Sequence, residues 1–181
     1  MKTLIVNAFG GPGVGKTTCC WAIASELKKR GILAEYVSEY AKELVYEERF
    51  DMLNDSMEKQ KIIYAEQKHR LDRLIGKVKV VVTDSPLLLS IIYANDATDE
   101  FKKDIIDGFN SYNNFNIIVL RDKRLKYEQA GRKESKEESL KKDKEIKDLL
   151  DNNKIYYGTY YHKTIDTTLV DNIMTTLRNL K

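Results

Sequence analysis

The sequence predicts an α/β fold, a five-stranded parallel sheet with helices on both faces, and three observations predict it. Short β-branched runs alternate with helical stretches along the chain. The segment Val78-Lys79-Val80-Val81-Val82-Thr83 is apolar at nearly every position, as suits a strand buried on both faces of a parallel sheet. Finally, Gly10-Gly11-Pro12-Gly13-Val14-Gly15-Lys16-Thr17 follows the apolar run Leu4–Phe9 and opens a helix.

The elements follow in order. A first strand covers roughly residues 3–9. The first helix runs from Gly15 to about Arg30, with Cys20, Ile23, Ala24 and Leu27 on one face, and Gly31 stops it. Ile32–Val37 is the second strand, and a polar helical stretch runs from Glu39 to about Phe50. After a break at Asp51–Asp55, Ser56 starts a long helix with Ile62, Ile63, Ala65, Leu71, Leu74 and Ile75 as its apolar positions, ended by Gly76. Val78–Thr83 is the third strand. Ser85 reads as a helix cap with Pro86 at the first helical position, and the helical stretch leads to Phe115. Asn116–Leu120 is the fourth strand, and 121–134 is a charged loop. Ser135-Lys136-Glu137-Glu138 fits a capping box for a helix to about Asp151. Ile155–Tyr157 reads as the fifth strand, and Asp166 caps a last helix to about Leu180.

The spacing G-x-x-x-x-G-K-T has a direct physical reading. Glycines let the backbone wrap a polyphosphate with its N–H groups turned inward. The helix that follows adds the positive end of its dipole. Lys16 reaches the β- and γ-phosphates, and the Thr17 hydroxyl holds Mg²⁺. The expected ATP contacts are Gly11, Gly13, Val14, Gly15, Lys16, Thr17 and Thr18. The fold class is therefore a three-layer P-loop NTPase fold.

At 181 residues the chain is expected to be a single domain over 1–181. Charged residues make up 33% but nearly cancel at +3, which argues against a dedicated duplex-DNA binder. No apolar run is long enough to span a bilayer, and the N-terminus enters a strand with no signal peptide, so the expectation is a cytoplasmic protein. The adjacent Cys19 and Cys20 point in different directions on a helix, which disfavours a disulfide between them. They read as packing residues or as a redox-sensitive element beside the P-loop. No His/Cys/Asp cluster has metal-ligand spacing, which argues against structural zinc; His69 and His162 are isolated.

In such a sheet a ligand lies at the carboxyl ends of the strands. Strand two ends in Ser38-Glu39-Tyr40-Ala41-Lys42-Glu43, and Glu39 is a candidate base for a substrate hydroxyl or a solvated first-turn glutamate. Tyr40 stacks on a base or packs. Strand three ends in Asp84, a candidate Mg²⁺ residue beside Thr17, or a cap. Arg121, Arg124 and Arg132 are three of only eight arginines. Arginine chosen locally among lysines suits phosphate contacts, and Arg132 suits a lid at about 121–135; a solvated charged loop is the alternative. Gln60, Gln67 and Arg70 share a region of the long helix and either line a substrate cleft or form ordinary surface. Tyr156, Tyr157, Tyr160 and Tyr161 border the nucleotide base or pack the core.

Taken together, the P-loop, the acid after strand two, the Asp after strand three and the arginine-bearing lid resemble small P-loop nucleoside and nucleotide kinases. More narrowly, Glu39-Tyr40-Ala41-Lys42-Glu43 is similar to the E-Y-[AG]-[RK]-E segment of the AAA-like family that includes the nicotinamide-ribonucleoside kinase domain of the bacterial NAD regulator. Gly131-Arg132 before a Ser/Glu-rich helix resembles phage-encoded members of that family, which have similar lengths. The chain departs from deoxynucleoside kinases in having Asp84-Ser85-Pro86 where those carry an acidic-Arg-Ser segment.

The resemblance implies an ATP- and Mg²⁺-dependent phosphotransferase acting on a small nucleoside or nucleoside monophosphate. Lys16, Glu39, Asp84 and Arg132 are its catalytic set, with Arg121 and Arg124 at ATP. Glu39, Tyr40, Gln67 and Arg70 are at the acceptor, and Thr17 and Asp84 at the metal. A homodimer is an open expectation. The rival readings are a kinase of nucleic-acid ends or modified DNA bases, and a regulatory nucleotide-binding ATPase. The chain is too short for a helicase or a motor with its own lid domain.

Overall fold

A computed structural model describes residues 1–121, 135–161 and 167–180. Five strands form one parallel sheet: β1 (Leu4–Phe9), β2 (Ala34–Val37), β3 (Val80–Thr83), β4 (Asn113–Leu120) and β5 (Gly158–Tyr161). Their order across the sheet is β2-β3-β1-β4-β5. The helices are α1 (Lys16–Lys29), α2 (Tyr40–Tyr46), α3 (Met57–Asp72), α4 (Leu89–Ile92), α5 (Asp99–Asn110), α6 (Lys136–Asn152) and α7 (Thr167–Asn179), with a 3-10 turn at Phe50–Met52.

Alternation along the buried strands divides the core in two. Leu4, Val6 and Ala8 of β1 face α1 and α7, where Ile23, Leu27, Val170 and Ile173 meet them. Ile5 and Phe9 face the opposite layer, against Phe101, Ile105 and Phe109 of α5 and Ile146 and Leu150 of α6. Both faces are covered, so β3 is buried at all four of its positions, as the valine run implied.

Several boundaries differ from the sequence expectation, each for a visible reason. Helix α2 stops at Tyr46 because Glu48 turns left-handed at φ 58°. Ser85 is not a helix cap: its N–H goes to Thr83 Oγ1, and tight turns through Pro86 lead to the short α4. A second helix then starts at Thr98, whose hydroxyl accepts from Phe101 N–H. Strand β4 begins at Asn113 rather than 116, because pairing with β1 overrides the low strand preference of asparagine. Asn7, buried in β1, donates to the side-chain oxygens of Asn114 and Asn116. The fifth strand is Gly158–Tyr161, not Ile155–Tyr157. Lys154 turns at φ 55° and Ile155 N–H closes α6 on Leu150 O, so Ile155 and Tyr157 pack against the core as a connection.

On α3 the buried face is Gln60, Ile63, Tyr64, Gln67 and Leu71, at helical spacing. Ile62 and Ile75 are exposed, contrary to the expected apolar positions. The capping box at Ser135 and Glu138 is present. Arg124, Gly131, Arg132, His162 and Asp166 lie outside the described residues, as does nearly all of the expected lid.

Cys19 and Cys20 are both fully buried in the α1 layer, with free thiols. Burial pushes the Cys19 thiol from 9.0 up to about 12, and burial, then the nearby Asp84 carboxylate, pushes Cys20 well above its ordinary range. The raised value means the folded state holds a proton that the unfolded chain releases. This stabilising contribution is full below pH 9.0 and is lost as pH rises toward about 12. In the native protein at pH 8 neither thiol is expected to react with a disulfide reagent within minutes; denaturant should expose both. Fast native reaction would mean that the α1 layer opens.

Candidate active site

The glycine loop connects β1 to α1 as the spacing requires. Gly13 and Gly15 sit at φ 79° and 95°, a conformation that side-chain-bearing residues rarely adopt. Gly15 occupies the N-cap of α1 with no capping side chain, and the first turn carries no acid. Its N–H groups therefore lack intrahelical acceptors and face the loop, an anion site by construction. Lys16 Nζ lies across the loop, donating to Gly10 O at 2.8 Å and Gly11 O at 3.3 Å.

Asp84 ends β3 directly beneath this loop. It is 1% exposed. Its Oδ2 accepts from Thr17 Oγ1 at 2.5 Å and from Tyr36 Oη at 2.8 Å, while Oδ1 is buried with no partner. Burial, then the Asp84 charge, holds the Tyr36 phenol well above its ordinary range, so it stays a donor. A buried carboxylate oxygen left bare beside a hydroxyl is a hard oxygen donor set that fits Mg²⁺ completed by phosphate and water. Among the described residues no three His, Cys, Asp or Glu side chains converge on a metal point.

Helix α6 braces the loop from behind. Gly11 N–H donates to Asp143 Oδ1 at 2.7 Å. Arg121 Nε donates to Asp143 Oδ2 at 2.9 Å, and its Nη2 to Pro12 O at 3.0 Å and Ser139 Oγ. Ser139 Oγ in turn donates to Pro12 O. A Cβ on Gly11 would fall 2.6 Å from both Asp143 Oδ1 and Ser139 O, so the two elements touch at van der Waals limit. Gly11 and Arg121 were expected at ATP; instead this N–H and this guanidinium hold loop to helix. Asp143 and Ser139 were missed. They share the stripe of Ile146 and Leu150, and two polar residues in an apolar stripe were the available signal.

A cavity of about 460 Å³ opens from the loop between α2, α3 and α4. Lys16 and Thr17 stand at one end with Thr18, and Glu39 lines the wall at the end of β2. Further along come Trp21, Lys42, Tyr46, Asp55, Gln60 and Tyr93, none of which except Gln60 the sequence had singled out. Their signal is only tertiary, because four separate elements supply them.

Tyr40, Gln67 and Arg70, expected at the acceptor, face elsewhere, and the walls are built from other residues. Gln67, 3% exposed, accepts from Tyr40 N–H at 3.0 Å and donates to Ser38 O at 3.2 Å. It thus ties down the backbone on both sides of Glu39. Arg70 forks onto Glu43 at 2.6 and 2.7 Å and lies 4.8 Å over the Tyr40 ring. That fork holds the Glu43 carboxyl below its ordinary range. The Ser38–Glu43 segment is thereby a fixed platform for Glu39. Gln67→Leu keeps the volume but orphans a donor and an acceptor. Urea denaturation is expected to show a loss of ~1–3 kcal/mol, and an unchanged midpoint would remove Gln67 from this role.

Of the tyrosines near β5, Tyr160 packs on the core, whereas Tyr156 is 90% exposed. No described helix is long and apolar enough to cross a membrane.

A parallel sheet whose first strand feeds a phosphate-binding loop, with a buried aspartate under that loop, marks a small P-loop kinase-like protein, and comparisons with known proteins agree. Residues 5–163 match the family model described as an AAA domain (AAA_28), and the chain belongs to that family. No curated protein sequence matches it significantly. Among solved structures, a NadR protein in complex with NR superposes with TM-score 0.69 at 18% identity, covering 97% of this chain and 52% of that one. The chain thus spans about half the length of that NadR protein. Shikimate kinase from Aquifex aeolicus vf5 gives TM-score 0.52 at 13% identity, covering 96% of each chain. APE1195 gives 0.51 at 15%, covering 99% of this chain and 97% of that one. At these identities the likeness is one of fold.

Proposed function

We propose that the protein transfers the γ-phosphate of ATP to the hydroxyl of a small nucleoside or nucleoside monophosphate. The observation that carries this reading is that Glu39 shares one cavity with Lys16 and Thr17, whereas Asp84 lies buried beneath the loop. The two acids thereby separate in role. Glu39, open to the cavity, accepts the hydroxyl proton. The acceptor oxygen bonds to the γ-phosphorus, the bond from that phosphorus to the β–γ bridging oxygen breaks, and ADP leaves with the electron pair. Lys16 exchanges its loop carbonyls for phosphate oxygens and offsets charge at the β- and γ-positions. Thr17 and Asp84 would hold Mg²⁺, which when bound neutralises phosphate charge. Arg132, just before α6, is proposed as the lid arginine, and Arg124 as an ATP contact. The likeness in fold to the NadR protein solved in complex with NR supports a small-molecule acceptor.

The test is ADP formation across a panel of nucleosides and nucleoside monophosphates. At least one acceptor is expected to raise ADP release at least ~10-fold over ATP alone, and Lys16→Ala is expected to abolish the increase. If no acceptor does so, the kinase reading fails.

A further inference from the structure

Asp84 keeps one of its two oxygens bare, and the arrangement around it decides which one. Strands β2 and β3 run parallel, with Tyr36 opposite Val82. Val80 and Val82 face α1, as does Tyr36. Asp84, just past the end of β3, continues that side, and Thr17 in the first turn of α1 donates to its Oδ2 at 2.5 Å. Tyr36 sits one step back on the neighbouring strand, a diagonal that an aromatic side chain can cross. Its Oη donates to the same Oδ2 at 2.8 Å. Oδ1 receives neither hydroxyl and is buried without a partner. Nothing local to Tyr36 marks it for this contact; the register between β2 and β3 does.

The last torsion of an aspartate is soft, so a carboxylate held by a single donor can exchange its two oxygens. Two donors on one oxygen, one from a strand and one from a helix, remove that freedom. We propose that Tyr36 is a positioning residue of the proposed Mg²⁺ site: together with Thr17 it commits Oδ2 of Asp84 to the protein and so reserves Oδ1 for the cation or its water. Hydrogen bonds to an ionised acceptor are strong, and partners that orient a metal-binding carboxylate change metal affinity ~10–100-fold when removed. The Tyr36 ring packs on the α1 layer and stands edge-on to Trp21, at 6.2 Å and 80°, so its hydroxyl can be deleted while the ring keeps its place. This inference rests on the reading of Thr17 and Asp84 as the holders of Mg²⁺, and not on the identity of the acceptor.

The experiment titrates a non-hydrolysable ATP analogue by calorimetry, once in excess Mg²⁺ and once in EDTA. The proteins are the wild type, Tyr36→Phe, Asp84→Asn and the double variant. The wild type is expected to bind more tightly with Mg²⁺. Tyr36→Phe should bind ~10-fold more weakly in Mg²⁺ yet stay within ~2-fold of the wild type in EDTA. A residue that only supported the fold would shift both conditions alike. In the Asp84→Asn background the Tyr36 change should add less than ~2-fold, because its effect passes through that carboxylate. Unchanged affinity in Mg²⁺, equal losses in both conditions, or additive losses in the double variant would overturn the role of Tyr36. A wild type whose affinity ignores Mg²⁺ overturns the metal reading and this inference with it. No arm needs an acceptor, so a silent acceptor panel counts against phosphate transfer alone.

Discussion

Glu39→Gln is expected to lower kcat by ~10²–10⁴-fold, the range for losing a positioned general base, while ATP binding stays within about twofold. The reasoning is geometric. Glu39 lines the cavity at the N-terminus of α2, and its backbone is held on both sides by Gln67. Glutamine keeps the size and the neighbours but cannot take a proton. Nothing in the loop that receives phosphate touches the change: Lys16 is anchored on Gly10 and Gly11, and Thr17 on Asp84. Single-turnover kinetics with the best acceptor, beside calorimetry with a non-hydrolysable ATP analogue, separates the two quantities. Equal loss in both would mean that Glu39 serves nucleotide binding rather than transfer.

Asp84→Asn is expected to do the opposite. Mg²⁺-dependent ATP affinity should fall by ~10–100-fold, as for loss of a metal-site partner. The unliganded protein should become at least as stable as the wild type. Oδ1 of Asp84 is a buried charged oxygen with no partner, which the fold retains at a cost. Asparagine removes the charge and still accepts from Thr17 or Tyr36. A higher melting temperature without nucleotide, together with weaker Mg²⁺-dependent binding, is the signature of a site held ready for a cation. A lower melting temperature with unchanged binding would make Asp84 structural. The two variants form a pair, and similar defects in both would show that the roles are assigned wrongly.

Much of this was legible in order along the chain, because it depends on local chemistry. The valine run could only be a buried strand, and the loop glycines could only serve a tight phosphate turn. Ser56 and Ser135 announce helix starts because a side-chain oxygen satisfies an otherwise open N–H. The failures cluster where a distant element decides. Nothing near Asn113 makes it a strand residue; its partner Leu4 does. Arg121 looked like an ATP ligand because its type and place suit phosphate, yet Asp143, brought back by α6, claims it.

The glutamines of α3 show the same division within one helix. Their spacing placed both on one face, and there the sequence stopped. Which one would meet the backbone around Glu39, and which would be left open to the cavity, depended on where β2 and α2 come to rest against α3.

The sequence by itself determined a phosphate loop, a parallel α/β sheet and an acid at each of two strand ends, since these follow from backbone conformation and residue spacing. Only the tertiary structure decided that Asp84 lies sealed under Thr17 while Glu39 lines the cavity beside the loop, and that Gln60 lines that cavity while Gln67 holds the backbone around Glu39. Burial and hydrogen-bond satisfaction belong to a side chain's surroundings, and those surroundings come from stretches of the chain that are far apart in sequence.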